Sequence, residues 1–374
     1  MSREIRSLID LGTASVKVLV VELRERKTHI WGHGYAPLAG GYGPGGEIVD
    51  REAVAAACDA ALTAAEDMTL ESFGHKIVPD QSLWSVPGWL CRGQTLSLRQ
   101  RRPRPEKSIS KREQRDFEAR LERAVEHLAD RPLDIISTIQ VEGQAVTEAI
   151  GLRGESLSLQ AFIVSANSQT LDTLQKIAAA LKLEPPAFVS QARAAMAALS
   201  RGGVILDIGR WGTGIVAATN SEQLTVAGWA SLGGQSLYRA LLNGFGLTPA
   251  QLPDFCRAYS QGHLPPEIVR AADAALVDPV NRWLDLVVEQ LPARTVEASL
   301  PHQIYLAGEA ARLPAVLLGA RRYPWMQNLQ WSRHPEISLW QPSGVSDLKN
   351  HSTRVWNTSD LVRLGLARLI LDIR

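Results

Sequence analysis

Leu8-Ile9-Asp10-Leu11-Gly12-Thr13-Ala14-Ser15-Val16-Lys17 and, in the second half of the chain, Val204-Ile205-Leu206-Asp207-Ile208-Gly209-Arg210-Trp211-Gly212-Thr213-Gly214 follow one pattern. Each is an apolar run that ends in Asp-Leu-Gly or Asp-Ile-Gly, passes through small or hydroxyl residues, and turns apolar again. The pattern predicts strand, tight turn, strand. Glycine lets such a turn bring backbone N–H groups against an anion, and a hydroxyl adds a donor. The aspartate suits a hydrated Mg²⁺, which takes oxygen ligands and keeps several waters. One such hairpin says little. Two of them, each opening a fresh α/β pattern, predict a duplicated domain with a nucleotide-sized cleft between the halves.

The 374 residues exceed one ordinary hydrophobic core, so two or more domains are expected. A hydrophobic fraction of 45% and a charged fraction of 21% are those of a soluble globular protein. A net charge of +1 exerts no global pull on nucleic acid or anionic lipid. The basic run Arg99 to Arg115 lacks interleaved aromatic residues for base stacking and reads as a solvated hairpin and helix start. Cys58, Cys91 and Cys256 are far apart, which fits a reducing compartment, and the histidines show no metal-ligand spacing. Neither a signal peptide nor a membrane span of ~18 apolar residues is expected.

Along the chain, Ile5 to Glu22 reads as a hairpin and Gly40 to Gly46 as a loop. A helix follows Asp50, with Val54, Ala57, Cys58, Ala61, Leu62 and Ala65 on one face. Ser110-Lys111-Arg112-Glu113 is a capping-box pattern that predicts a helix to about Ala129. Strands are expected near 133–141 and 157–164, and a helix opens at Ser168. After the second hairpin come a Gly233-Gly234 turn, helices through Arg257, a long helix over Ile268–Leu291, and a strand His302–Ala307 ending in Gly308-Glu309. Most of the 10 tryptophans belong in the core. Trp325, Trp331, Trp340 and Trp356 lie among Pro and Arg, however, a combination that also marks partner-binding surfaces.

In this order the motifs resemble the actin/Hsp70/sugar-kinase superfamily, and within it the bacterial FtsA cell-division family and its relative PilM of type IV pilus assembly. Asp10 to Lys17 resembles the first phosphate motif. Gly46-Glu47-Ile48-Val49-Asp50 with Ala64-Ala65-Glu66-Asp67-Met68 is similar to a stretch of FtsA. Ser108-Ile109-Ser110 and Ile150-Gly151-Leu152-Arg153-Gly154 resemble the entry to and exit from the inserted 1C subdomain of that family. Ile304-Tyr305-Leu306-Ala307-Gly308 resembles the adenosine motif, and Thr358 to Ala367 the closing helix. The resemblance implies an actin-like (ribonuclease H-like) α/β fold of two halves. Residues 1–82 with 165–200 would form subdomain 1A and 83–164 the inserted 1C. Residues 201–236 with 301–374 would form 2A, and 237–300 a short 2B. It implies ATP with Mg²⁺ in the cleft. Asp10, Gly12, Thr13, Ser15 and Lys17 would form the first wall and Asp207, Gly209, Arg210, Gly212 and Thr213 the second. Gly233 and Gly234 would serve the helix turn, and Gly308 and Glu309 the adenosine loop. Asp10 and Asp207 would hold the metal indirectly, through its waters.

The sequence departs from that pattern where the family has Asp-Ile-Gly-Gly-Gly-Thr: the glycine positions are Arg210 and Trp211. An indole cannot stand where backbone must approach phosphate unless the loop is re-routed, although Arg210 can pair with a phosphate. Glu309 replaces a second adenosine-loop glycine, and Pro253 and Cys256 stand near the places where the family offers Glu and Lys to the ribose. The expectation is a degenerate ATP site, at most a weak ATPase, and not a sugar kinase or chaperone ATPase. The C-terminal stretch Leu361 to Ile373 has no clean polar face and reads as a core helix, not a membrane-targeting one. The expected role is a cytoplasmic adaptor that forms dimers or filaments and reaches the inner face of the membrane through partners. Those partners would be FtsZ or other division proteins or, in the alternative, inner-membrane proteins of a pilus or secretion assembly.

Overall fold

The computed structural model describes residues 4–43, 46–219, 224–291, 299–327 and 329–373. Residues 44 and 45 of the glycine-rich loop, 292–298 after the long helix and 328 of the Trp-rich segment lie outside the described residues. The chain opens with a meander of β1 (Glu4–Leu11), β2 (Ser15–Arg24) and β3 (Lys27–Pro37). Helix α1 (Arg51–Phe73) starts at Asp50, whose carboxylate accepts the Ala53 N–H at 3.0 Å, and lays its alanine-rich face on the sheet. β4 (Ser82–Val86) then runs parallel to β1.

An excursion follows: β5 (Cys91–Arg101), α2 (Lys111–Glu126), β6 (Arg131–Val141), β7 (Gln144–Val146) and β8 (Ser156–Ala166). Its strands form a separate four-stranded sheet in the order β5-β8-β6-β7. Phe117, Leu121 and Val125 of α2 cover one face of it. Ser110 caps α2 through the Glu113 N–H, and the Ser110 backbone N–H in turn helps to hold the Glu113 carboxylate charged. That carboxylate also takes Arg102 at 2.7 Å, and the buried Arg102 donates to the carbonyls of Gly154 and Lys107. The basic run is therefore solvated except at Arg102, which ties the excursion together.

The chain returns through α3 (Ser168–Ala180), β9 (Ala187–Ser190) and α4 (Gln191–Ala197). The second half repeats the meander as β10 (Gly203–Ile208), β11 (Thr213–Ala218) and β12 (Leu224–Ala230). Helices α5 (Gly234–Phe245), α6 (Leu252–Ser260) and α7 (Pro266–Gln290) follow. Then come β13 (Gln303–Ala307), α8 (Pro314–Arg322), β14 (Glu336–Leu339), β15 (Leu348–Asn350) and α9 (Leu361–Leu369). The two main sheets have the same order, β3-β2-β1-β4-β9 and β12-β11-β10-β13-β14, each an antiparallel meander continued by parallel strands. The duplication read from the two hairpins is thus present in the strand topology.

The central strands are apolar on both faces because helices or the other half cover both. One core is common to the halves: Leu8, Leu83 and Val189 of the first sheet meet Ile205, Val216 and Ala307 of the second, with α4 and α9 between them. Every residue of α9 except Arg368 is buried. Within 301–374, β13, α8 and β14 belong to the second half, whereas β15 pairs with β3 and α9 packs on α4 and the first sheet. Trp325, Trp331 and Trp340 are buried, and each indole donates to a backbone carbonyl. This corrects the partner-surface reading for these three; the surrounding Pro and Arg belong to turns that wrap a core. Among the described residues no helix is long and apolar enough to cross a membrane.

Candidate functional site

Both hairpins open onto one cleft of about 800 Å³ between the halves. Gly12 and Gly209 stand on its facing walls, and a Cβ built on Gly209 would lie 4.0 Å from the Thr13 Oγ1. The turn tips therefore almost touch.

On the first wall, Asp10 at the end of β1 is buried. Its Oδ1 accepts from Ser85 Oγ of β4 and from Gln191 Nε2, both at 3.1 Å. Gln191 also donates to the Leu11 carbonyl at 2.9 Å and accepts the Gly88 N–H at 3.1 Å. It thereby fixes the hairpin, α4 and the start of the inserted sheet to one another. Sequence reasoning did not single out Gln191, because glutamine at the start of a helix carries no local signal; only the packing of α4 against β1 brings it there. The turn is closed by the Gly12 N–H on the Ser15 carbonyl at 2.9 Å. Lys17 reaches across to the Ser359 carbonyl at 2.7 Å.

On the second wall, Asp207 at the end of β10 has a pKa pushed up to about 6, mainly by burial; Lys17 opposes that shift and Asp10 adds to it. Arg210 lines the cleft, donates to Gln235 Oε1 at 3.0 Å and lies 5.7 Å from the centre of the Trp211 ring. Trp211 itself is exposed and outside the lining. Behind the loop, a Cβ on Gly212 would stand 2.1 Å from the Trp229 ring. Thr213 is buried, with its hydroxyl donating to Leu232 O at 2.8 Å and accepting from Trp283 Nε1 at 2.9 Å. The N–H groups of Gly234 and Gln235, at the start of α5, donate to the carbonyls of Gly209 and Arg210 at 2.8 Å. A helix start of this kind often holds an anion; here those donors are occupied by the loop. Gly233 also lies behind the loop, against Gly209 and Gly212.

The far end is an apolar slot of Tyr238, Leu242, Pro249, Leu252 and Ala310, flanked by Gly308 and Glu309. Gly308 takes φ +88° and donates its N–H to Thr358 O at 2.9 Å. Burial, and after it the Glu309 charge, push the Tyr238 phenol up. Trp89 and Trp229, from opposite halves, also line the cleft and pair with ring centres 5.2 Å apart.

Of the residues singled out in sequence, Asp10, Gly12, Thr13, Ser15, Lys17, Asp207, Gly209, Arg210, Gly308 and Glu309 share the cleft. Gly212, Thr213, Gly233 and Gly234 are not among its lining residues. The volume suits a small-molecule ligand. The slot and the aspartate pair fit a nucleoside and a hydrated cation. On the second wall the α5 N–H groups are already bonded to the loop carbonyls and are not free for a phosphate.

No family model matches this chain, and no curated protein does. Solved structures do. A chain of the PilM–PilN type IV pilus biogenesis complex is 14% identical, with 98% of each chain covered and a TM-score of 0.62. The ethanolamine utilization protein EutJ from Carboxydothermus hydrogenoformans is also 14% identical, with 98% of this chain and 90% of that chain covered and a TM-score of 0.51. At such identity the likeness is one of fold. The chain has the actin-like fold of two α/β halves.

Proposed function

We propose that this chain is a PilM-like scaffold of a type IV pilus or type II secretion assembly, held at the inner face of the membrane by an inner-membrane partner. The observation that carries this reading is the near end-to-end likeness to a chain of the PilM–PilN complex, with 98% of each chain covered. The core common to both halves also favours a scaffold, since a rigid body presents a constant surface to partners. The FtsA-like division role stands second and rests on sequence motifs alone.

In this reading the cleft takes ATP with Mg²⁺ weakly. Asp10 and Asp207 face the metal's waters and the apolar slot takes the adenine. Hydrolysis is slow or absent, because acceleration needs donors pre-aimed at the transferring phosphate, and the second loop has spent its helix-start donors on itself. Self-association into dimers or filaments belongs to the same proposal. The test is capture of the full chain on immobilised peptides: the N-terminal peptide of a PilN-type protein against the C-terminal tail of FtsZ. Retention by the PilN-type peptide is expected. Retention by the FtsZ tail alone moves the role to cell division, and retention by neither removes both.

A further inference from the structure

We infer that Arg354 and Arg363 form an anion subsite in the cleft, shaped for a phosphate group that the second hairpin does not hold. Both line the cleft, yet both come from the returning C-terminal segment, which neither hairpin motif includes. Arg363 is buried on α9, only 1% exposed, and Arg354 precedes the helix. They share one carboxylate. Asp360 Oδ1 accepts from Arg363 Nε at 2.6 Å, from Arg363 Nη2, and from Arg354 Nη2 at 3.2 Å. Asp360 Oδ2 accepts the Asn357 N–H at 2.8 Å. Its acceptor capacity is committed, while Arg363 Nη1 and Arg354 Nε are buried without any hydrogen-bond partner. A buried guanidinium N–H left unpaired is costly and rare, and both atoms belong to side chains that line the cleft, which leaves this arginine pair short of acceptors.

Two guanidinium groups share the Asp360 carboxylate, and Lys17, bonded to the neutral Ser359 carbonyl, adds a third cation that also acts on Asp207. Asp10 is within electrostatic reach of Arg363, and its Oδ1 accepts from Ser85 and Gln191. His33 adds no further positive charge: burial, then Arg354 and Arg363, push its pKa down to about 4, and it is neutral at physiological pH. Trp356 lies against both guanidinium groups, 5.6 Å from Arg354 and 5.5 Å from Arg363, and restrains their planes. Planar, restrained guanidinium groups match the paired oxygens of a phosphate. The inference deepens the reading of the cleft as a nucleotide site and rests on it. It does not depend on which macromolecular partner the chain binds.

Calorimetry on the full chain with adenosine, ADP, ATP and inorganic phosphate, each with Mg²⁺, tests it. Phosphate-bearing nucleotides are expected to bind at least about tenfold more tightly than adenosine. Arg354→Gln should erase most of that increment and leave adenosine affinity unchanged, and Arg354→Lys should restore part of it. Thermal unfolding of each variant establishes that it is folded; Arg354 is used because it is the less buried of the pair. Equal affinity for adenosine and ADP in the unaltered chain overturns the subsite and leaves the nucleoside slot standing. An increment that survives Arg354→Gln overturns it as well. Binding of none of the four ligands overturns the subsite and the nucleotide reading together. Displacement by an acidic peptide and not by phosphate assigns the arginines to a protein partner, and the phosphate subsite falls.

Discussion

The two hairpins share a backbone plan and differ in what surrounds them. Each joins paired strands through a turn after an Asp-Leu/Ile-Gly step, and each sits at the same place in its sheet. The first turn is braced from outside: Ser85 and Gln191 hold Asp10, and Lys17 bonds to the returning C-terminal segment. The second is packed from within: Trp229 lies on Gly212, Trp283 holds Thr213, and the start of α5 bonds the loop carbonyls. Polar braces on a cavity wall leave atoms that a ligand can approach. Aromatic packing and satisfied backbone groups leave a fixed strut. The same local sequence plan therefore gives an approachable polar wall on one side and a packed support on the other.

Glycine-to-alanine substitutions give the sharpest separation. Gly212→Ala drives a methyl into the Trp229 ring, where the built Cβ stands 2.1 Å away. It should lower the free energy of unfolding by about 2–4 kcal/mol, as overpacking and local rearrangement of a filled site do. Gly12→Ala meets the Ser15 carbonyl oxygen at 2.9 Å, with the Ser15 N and Oγ at 4.0 Å, so only this one short turn has to shift, beside the cleft. A loss of about 1 kcal/mol is expected there. Urea unfolding of both variants measures the difference, and equal losses would remove the contrast between strut and open wall.

The shared plan was legible in sequence because it is local: apolar run, aspartate, glycine and apolar run define a hairpin before any tertiary contact forms. The capped starts of α1 and α2 were legible for the same reason, since Asp50 and Ser110 act within three residues of themselves. What surrounds the hairpins was not legible. Gln191 meets Asp10 from 181 residues away and Lys17 meets Ser359 from 342. The lack of a clean polar face did mark α9 as a core helix, but periodicity could not say which carboxylate would meet the buried Arg363. Trp325, Trp331 and Trp340 stand among Pro and Arg, which in sequence left a partner surface open beside the core reading. Each satisfies its indole N–H on backbone inside the core instead, which composition does not reveal.

The aspartates extend the comparison to pH. Asp207 has its folded-state pKa raised to about 6 by burial, above the unfolded value of about 4. The folded state then keeps its proton longer than the unfolded state does. The stability that follows is complete below about pH 4, declines as pH rises to about 6, and stays reduced above it. Asp207→Asn removes the ionising group and should raise stability at pH 7.5 by on the order of 1–2 kcal/mol, a gain that vanishes near pH 4. Thermal unfolding from pH 4 to 7.5 reads this directly. Curves for the variant and the unaltered chain that stay parallel over that range would show that Asp207 carries no burial penalty, and the second wall would lose its character as a dry strut.

The smallest effect is expected at the residue whose sequence looked most disruptive. Trp211 stands where the phosphate motif that this hairpin resembles has a glycine, yet its side chain is 53% exposed and its ring is in contact with Arg210 and not with the cleft. An exposed cation–π pair of this kind contributes about 0.5 kcal/mol, so Trp211→Ala should change unfolding free energy by no more than that. It should also leave ATP affinity within about threefold, because the obstacle to phosphate on this wall is not the indole. The obstacle is the pair of α5 N–H groups already bonded to the Gly209 and Arg210 carbonyls. A tenfold or greater gain in affinity in Trp211→Ala would mean that the ring props the loop in a closed form and that the second wall is a gate. The two hairpins would then differ in a removable side chain and not in how their backbones are bonded.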